Sequence, residues 1–412
     1  MKRRLFLGTL GVGGLAAIGW PAWKYWPDQG IWNPCLAGPL PPRLANHELM
    51  QAAWEGIDPA QLWDAHVHLI GAGDSERSIY VNPVNYSLAH PFPYFGQKLY
   101  ANASCAEVEG EVDVRFLRRL LELHTDFPAG SRLMLLAFDY YHDERGKRLL
   151  EQTLFHIPNE YTERVAKSHP ERLEWIASIH PYRPDAIEAL EDVRRRGARA
   201  IKWLPSAMGM DPASPLCDGF YDTMAKLDMP LLVHAGGEAA VHSPEAQRLN
   251  NPLKLRRALD HGVRVIVAHC ASLGDDADLD KGPNGPPVAS FELFARLMDE
   301  SRYEGLLLGD ISAMTQANRM GAPLKAVLAR SEWPPRLING SDYPLPGVMP
   351  IFSMRRMVAM GYITDSEAAV FTEIRRYNAL LFDFVLKRHI RAGNKRFQPI
   401  VFHSRRLFDR AT

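Results

Sequence analysis

Eight short apolar runs, separated by stretches with helical spacing, limit what this chain can fold into. They fall at about 62–69 (LWDAHVHL), 132–141 (RLMLLAFDYY), 173–181 (LEWIASIHP), 198–204 (ARAIKWL), 230–235 (PLLVHA), 264–270 (RVIVAHC), 305–312 (GLLLGDIS) and 336–342 (RLINGSD). Between them the spacing predicts helices at about 115–124, 159–169 with Asn159 as N-cap, 184–196 ending at Gly197, 218–227, 252–261, 288–301 and 323–330, with closing helices between 351 and 387. Runs that are apolar throughout suit strands buried on both faces, as in a parallel sheet covered by helices. Eight such units predict a closed α/β barrel, the (β/α)8 or TIM barrel, over an open doubly wound sheet. No Gly-x-Gly-x-x-Gly or Walker loop follows any of the runs, which argues against a nucleotide-binding fold.

The 412 residues divide into four expected segments: 1–30, a linker at 31–60 with Pro34, Pro39, Pro41 and Pro42, the barrel at 61–390, and a tail at 391–412. Lys plus Arg and Asp plus Glu number 48 each, so no basic excess suggests nucleic acid as a partner. The start, Met1-Lys2-Arg3-Arg4-Leu5-Phe6-Leu7, leads into a Gly/Ala-rich apolar run and resembles a twin-arginine (Tat) export signal; a Sec signal or an anchor helix is the alternative reading. The run is short for a span of about 20 residues and its cleavage pattern near Leu15-Ala16-Ala17 is imperfect, so either cleavage or retention as an anchor fits. The expected location is the periplasm, free or membrane-anchored, with the Tat machinery as export partner. A small-molecule substrate and a second copy of the chain in a homodimer are the other partners considered.

From Gly71 to Val112 the sequence lacks clear periodicity and carries Tyr80, Tyr86, His90, Phe92, Tyr94, Phe95 and Tyr100. An aperiodic insertion this long after the first strand reads as a substrate-covering lid, or as a surface excursion stapled by its aromatics. The polar stretch Asp275 to Pro287 reads as a flexible loop at the barrel mouth, since its spacing does not match a calcium loop. Cys35, Cys105, Cys217 and Cys270 are too few and scattered for a disulfide framework; a Cys35–Cys105 bridge is conceivable, and Cys270 reads as a small core residue.

In a parallel barrel the chemistry gathers at the C-terminal ends of the strands. Those ends carry His66 and His68 on the first strand, Lys202 on the fourth, His234 on the fifth, His269 on the sixth and Asp342 on the eighth. Residues alternate faces along a strand, so His66 and His68 should point one way and Ala65, Val67 and Leu69 the other. Any one of these histidines alone could be a satisfied core residue. Metal-binding side chains at the ends of several strands together point to a metal site.

The pieces Asp64-Ala65-His66-Val67-His68, Asn159-Glu160-Tyr161 through His169-Pro170-Glu171-Arg172-Leu173, Gly197 to Lys202, Pro230 to Gly236, Val267-Ala268-His269 and Gly340-Ser341-Asp342-Tyr343-Pro344 resemble the amidohydrolase superfamily. The branch they resemble is that of the metal-dependent hydrolases related to aminocarboxymuconate semialdehyde decarboxylase. The resemblance implies one divalent ion, zinc, on His66, His68, His234 and Asp342, with a coordination position left open for water. It implies that Asp342 orients that water and takes its proton, and that His269 polarises a carbonyl or relays a proton. In binuclear relatives a lysine at the place of Lys202 is carbamylated and bridges two metals; here Lys202 is expected to bind a substrate carboxylate, or else to pack with its charge on Asp310. Asp139, His180 and Asp310 are expected in supporting or packing roles. The implied activity is hydrolysis of an amide, lactone or ester, with decarboxylation at the same site as the alternative. A non-catalytic binding barrel is disfavoured because both His269 and Asp342 are present.

Overall fold

The structure is a computed structural model that describes residues 27–74, 78–238 and 243–409. The proposed export signal at 1–26 lies outside the described residues. Among those described, no helix is long and apolar enough to cross a membrane.

Eight parallel strands form the centre: β1 (Trp63–His68), β2 (Arg132–Leu136), β3 (Leu173–Ile176), β4 (Ile201–Trp203), β5 (Leu231–His234), β6 (Val265–Ala268), β7 (Leu307–Asp310) and β8 (Leu337–Ile338). They pair in two arcs, β1-β2-β3 and β4-β5-β6-β7-β8. Parallel bridges Ala177–Ile201 and Val67–Tyr343 join the arcs. At the second seam Ala65 N–H donates to Asn339 O at 3.0 Å, Asp342 N–H to His66 O at 2.8 Å and His68 N–H to Tyr343 O at 3.0 Å. The sheet therefore closes in chain order into the expected barrel, and its last seam runs through the residues that carry the site.

Strand residues sort into two apolar layers. Trp63, Ala65, Met134, Leu136, Ile176, Ala200, Leu232, Ile266, Ala268, Leu308 and Ile338 fill the barrel interior. The alternate positions, among them Val67, Leu135, Trp175, Trp203, Val233 and Val267, pack outward under the helices. Ala65 is an exception to the expected alternation: it shares the interior with Trp63, although His66 and His68 also face inward. The pairing of β1 with β2 shifts register between Asp64 and Val67. One irregular step reverses the phase of every side chain beyond it, so the lower half of β1 contributes core and the upper half contributes imidazoles to the same interior.

The flanking segments pack on the barrel. In the expected linker, the helix Glu48–Trp54 buries Met50 and Ala53, and Trp54 stacks on Phe384 at 4.4 Å. The expected tail buries Val401 and Phe402, and Phe408 joins the barrel interior from below. Beside it the guanidiniums of Arg132, Arg199 and Arg405 lie over the Trp63 ring at 5.6, 5.1 and 5.6 Å.

The insertion after β1 is also more regular than its sequence suggests. It contains the helix Pro91–Ala103, opened by proline in the first turn where no N–H is needed, and a strand Tyr80–Val81 paired with Phe155–His156. The helix is tied to the N-terminal segment by a Cys35–Cys105 disulfide, which the cysteine pattern alone did not favour. Cys270 is buried, as a core residue should be. Asp275–Ala277 and Pro287–Ala289 form an antiparallel ribbon in place of the expected flexible loop. Within it Asp278 and Asp280 pair with Arg296 at 2.7 and 2.6 Å. Asn159 begins its helix but does not cap it; its side chain bridges to Ser178, accepting from N–H at 2.8 Å and donating to the carbonyl at 2.9 Å.

Candidate metal centre

The reversed phase of β1 places His66, fully buried, and His68, a quarter exposed, on one side at the top of the barrel. Asp342 arrives from beyond β8 with its backbone in the left-handed region at φ 59°. A non-glycine residue held there is uncommon, and here the conformation turns the carboxylate back over the barrel. His66 Nε2 lies 3.2 Å from His68 Nε2 and 3.4 Å from Asp342 Oδ1, and His68 Nε2 lies 3.1 Å from the same oxygen. Donor atoms of a tetrahedral site with bonds of ~2.0–2.1 Å sit roughly 3.3 Å apart, so the three atoms are spaced as zinc ligands are. The donor set of two imidazoles and one carboxylate fits a divalent ion.

The other nitrogen of His66 is committed. Its Nδ1 stands 2.7 Å from Asp310 Oδ2, and a carboxylate oxygen can only accept, so Nδ1 carries the hydrogen and Nε2 keeps its lone pair for a metal. Asp310 thus holds a position its sequence context did not specify. Lys202 is buried with Nζ 3.3 Å from His66 Nε2, beside the ligand atoms and below the mouth. Burial pushes its ammonium down to about 8 against the opposing charges of Asp342, Asp310 and Glu238.

His269 reaches the same space from the end of β6. His269, Cys270 and Ala271 are three successive residues with positive φ, at 57°, 49° and 49°. His269 Nδ1 lies 2.8 Å from Ser312 Oγ and 3.1 Å from Ser312 O, while Ser312 Oγ donates to Asp310 Oδ2. With that hydroxyl hydrogen already used and the carbonyl able only to accept, His269 Nδ1 must be the donor. Its Nε2 is left unprotonated, 3.7 Å from Asp342 Oδ2. Asp310 and Ser312 therefore set the tautomers of two histidines at once.

His234 is buried at the end of β5, its ring 5.3 Å from that of His269, with Nδ1 3.4 Å from Glu238 Oε2 and Nε2 3.4 Å from Gly237 O. Among the described residues the close-set ligand groups are His66, His68, Asp342 and His66, His269, Asp310; His234 stands outside both. Burial pushes its imidazole down to about 4. Burial likewise lowers His66 and takes His269 well below its usual range, so all three are neutral, the form in which histidine ligates metal or accepts a proton.

Asp139 and His180, also at strand ends, belong to a separate cluster. Asp139 Oδ2 accepts from His180 N–H at 2.8 Å and from Arg183 Nη1 at 2.9 Å. Tyr100, one of the aromatics of the expected lid, borders the site, as do Ser312, Glu238 and Arg319, which were not singled out in the sequence. They lie in loops or in the insertion, where no periodicity marks a side chain as inward.

Several solved structures are similar to this chain at low identity. An uncharacterised TIM-barrel protein from Bordetella bronchiseptica is 13% identical, with 70% of this chain and 88% of that chain covered and a TM-score of 0.47. A probable 2-pyrone-4,6-dicarboxylic acid hydrolase from Acinetobacter baumannii is 13% identical, with 75% and 95% covered and a TM-score of 0.43. A 2,6-dihydroxybenzoate decarboxylase from Rhizobium is 13% identical, with 78% and 97% covered and a TM-score of 0.39. No curated protein matches the chain. The sequence profile of the amidohydrolase family matches residues 63–348, from the first residue of β1 to just past Asp342, and the chain belongs to that family of metal-dependent enzymes.

Proposed function

We propose that this enzyme hydrolyses a carbonyl-type bond, an amide, lactone or ester, of a small molecule. The observation that carries the reading is the convergence of His66 Nε2, His68 Nε2 and Asp342 Oδ1 at 3.1–3.4 Å beside an unprotonated His269 Nε2. Zinc is the ion proposed for His66, His68 and Asp342, with His234 as the fourth ligand after a side-chain rotation. When bound, such an ion polarises a carbonyl and acidifies a water molecule.

The chain's own residues do the rest. Asp310 fixes the ring of His66 through Nδ1. His269 accepts a proton at Nε2 and returns it to the leaving group, its ring anchored by Ser312 through Nδ1. Lys202, beside the ligands, is placed to bind an oxygen of the substrate. The helix Pro91–Ala103 carries Tyr100, on whose hydroxyl the charges of Glu238 and Asp342 act. Metal-loaded enzyme screened against lactones, amides, esters and aromatic carboxylates should release an acid by hydrolysis from one of the first three classes. Carbon dioxide release from a carboxylate would instead make the enzyme a decarboxylase.

Export is part of the proposal. Disulfides persist in oxidising compartments, and the Cys35–Cys105 bond suits the periplasm. Protein recovered from the periplasm should titrate with two free thiols, Cys217 and Cys270, and lysine at both Arg3 and Arg4 should leave the protein in the cytoplasm. Four free thiols, or unchanged export of the double variant, would refute this.

A further inference from the structure

Outside the barrel wall, at the seam where β8 meets β1, lies a small cavity of about 10 Å³, room for a particle the size of a water molecule. Asp64 of β1, Leu133 of β2 and Asn339 just after β8 line it from the sheet. From the helices come His124, at the end of Val112–His124, and Asp383 of Ala379–His389.

Three of these side chains carry an acceptor atom that no donor among the described residues reaches: Asp383 Oδ1, Asn339 Oδ1 and His124 Nδ1. The residues are only 1, 4 and 5% exposed. His124 Nδ1 is an acceptor because Ser131 Oγ gives its hydrogen to Pro128 O at 2.7 Å, which leaves His124 Nε2 to donate to that hydroxyl at 3.1 Å. Burial also keeps the ring neutral, pushing it down to about 4. Buried acceptors left unpaired are costly, so what suits this cavity must offer positive charge in several directions.

The charges around the cavity do not cancel. Lys387 Nζ donates to Asp383 Oδ2 and to Gly340 O, both at 2.6 Å. Arg132, which also lines the cavity, is paired with Glu174. Set against Asp64 and Asp383, the Lys387 ammonium leaves one negative charge over. Burial raises the Asp383 carboxyl to about 7 even beside Lys387, so a further positive charge is needed to keep it ionised at neutral pH.

We propose that this cavity binds a desolvated monovalent cation, potassium, through the oxygens of Asp383, Asn339 and Asp64. Water has only two hydrogens to give to these acceptors, whereas a potassium ion is close to water in size and attracts oxygen atoms on every side. Asp64 Oδ1 also accepts from His66 N–H at 3.2 Å and Ser341 N–H at 2.8 Å. The ion therefore braces, from outside the barrel, the two backbone segments that bear the proposed metal ligands. The site does not depend on which bond the enzyme cleaves.

Thermal unfolding of the full chain is compared in potassium chloride and in choline chloride at equal ionic strength, choline being too large for the cavity. With potassium at about ten times its dissociation constant, the Tm of wild type should be roughly 2–4 °C higher than in choline. Asp383→Asn should unfold at the same temperature in both salts. A wild-type crystal soaked in thallium(I), which takes potassium sites and scatters anomalously, should show an anomalous peak between Asp383, Asn339 and Asp64. Equal Tm values for wild type, an undiminished difference in Asp383→Asn, or a cavity without anomalous signal, as a water molecule or a protonated Asp383 would give, overturns the proposal. Should Asp383→Asn fail to fold, the thallium crystal decides alone.

Discussion

Replacing Gly340 with alanine should weaken binding of a divalent ion at the proposed centre by roughly ten- to a hundredfold, the scale seen when groups that orient ligands are disturbed. Gly340 stands on the seam between β8 and β1, where a Cβ would lie 2.5 Å from His66 Cβ and 2.9 Å from Asp310 Oδ1. Neither neighbour can yield freely. His66 Cβ is the root of a strand side chain, and Asp310 Oδ1 accepts from Ser312 N–H at 2.7 Å. Relief must come from moving His66, Asp310 or the Gly340-Ser341-Asp342 segment, and each of these moves a proposed metal ligand or the group that orients one. Overpacking of this kind also costs about 1–3 kcal/mol of stability, so circular dichroism should show a folded barrel with a lowered Tm. Zinc competition against a chromogenic chelator measures the effect, and wild-type affinity in Gly340→Ala would show that the close approach is not required.

His269→Ala should behave in the opposite way, keeping the metal and losing the chemistry. His269 Nε2 lies 3.7 Å from Asp342 Oδ2, its ring stacks on that of His66 with centroids 5.1 Å apart, and its other nitrogen is held by Ser312. Removing a positioned general base typically costs about 10²–10⁴ in rate, so kcat should fall by that amount with KM little changed. Ser312→Ala should give a smaller loss with the same pattern, because it releases the ring without deleting it. A kcat for His269→Ala within a fewfold of wild type would remove His269 from the mechanism.

The barrel was legible because its strands are apolar on both faces, a pattern that survives without any tertiary information. The ligand pair on β1 was legible for a partly mistaken reason: the two imidazoles do face one way, but a register shift below them puts Ala65 in the same interior. Strand periodicity could not aim His269 or Asp342, since both are turned by left-handed backbone beyond the strand ends; their place at the ends of the sixth and eighth apolar runs is what marked them. The insertion helix was missed because its first turn holds two prolines and its polar residues interrupt the apolar spacing.

Metal content tests the central claim most directly. Protein purified without chelators and analysed by mass spectrometry should carry close to one equivalent of a divalent ion in wild type and in His269→Ala, and almost none in His68→Ala or Asp342→Ala. If His269→Ala lost its metal as completely as those two, or if wild type carried two ions, a mononuclear centre on His66, His68 and Asp342 with His269 as its proton carrier would be the wrong description of this enzyme.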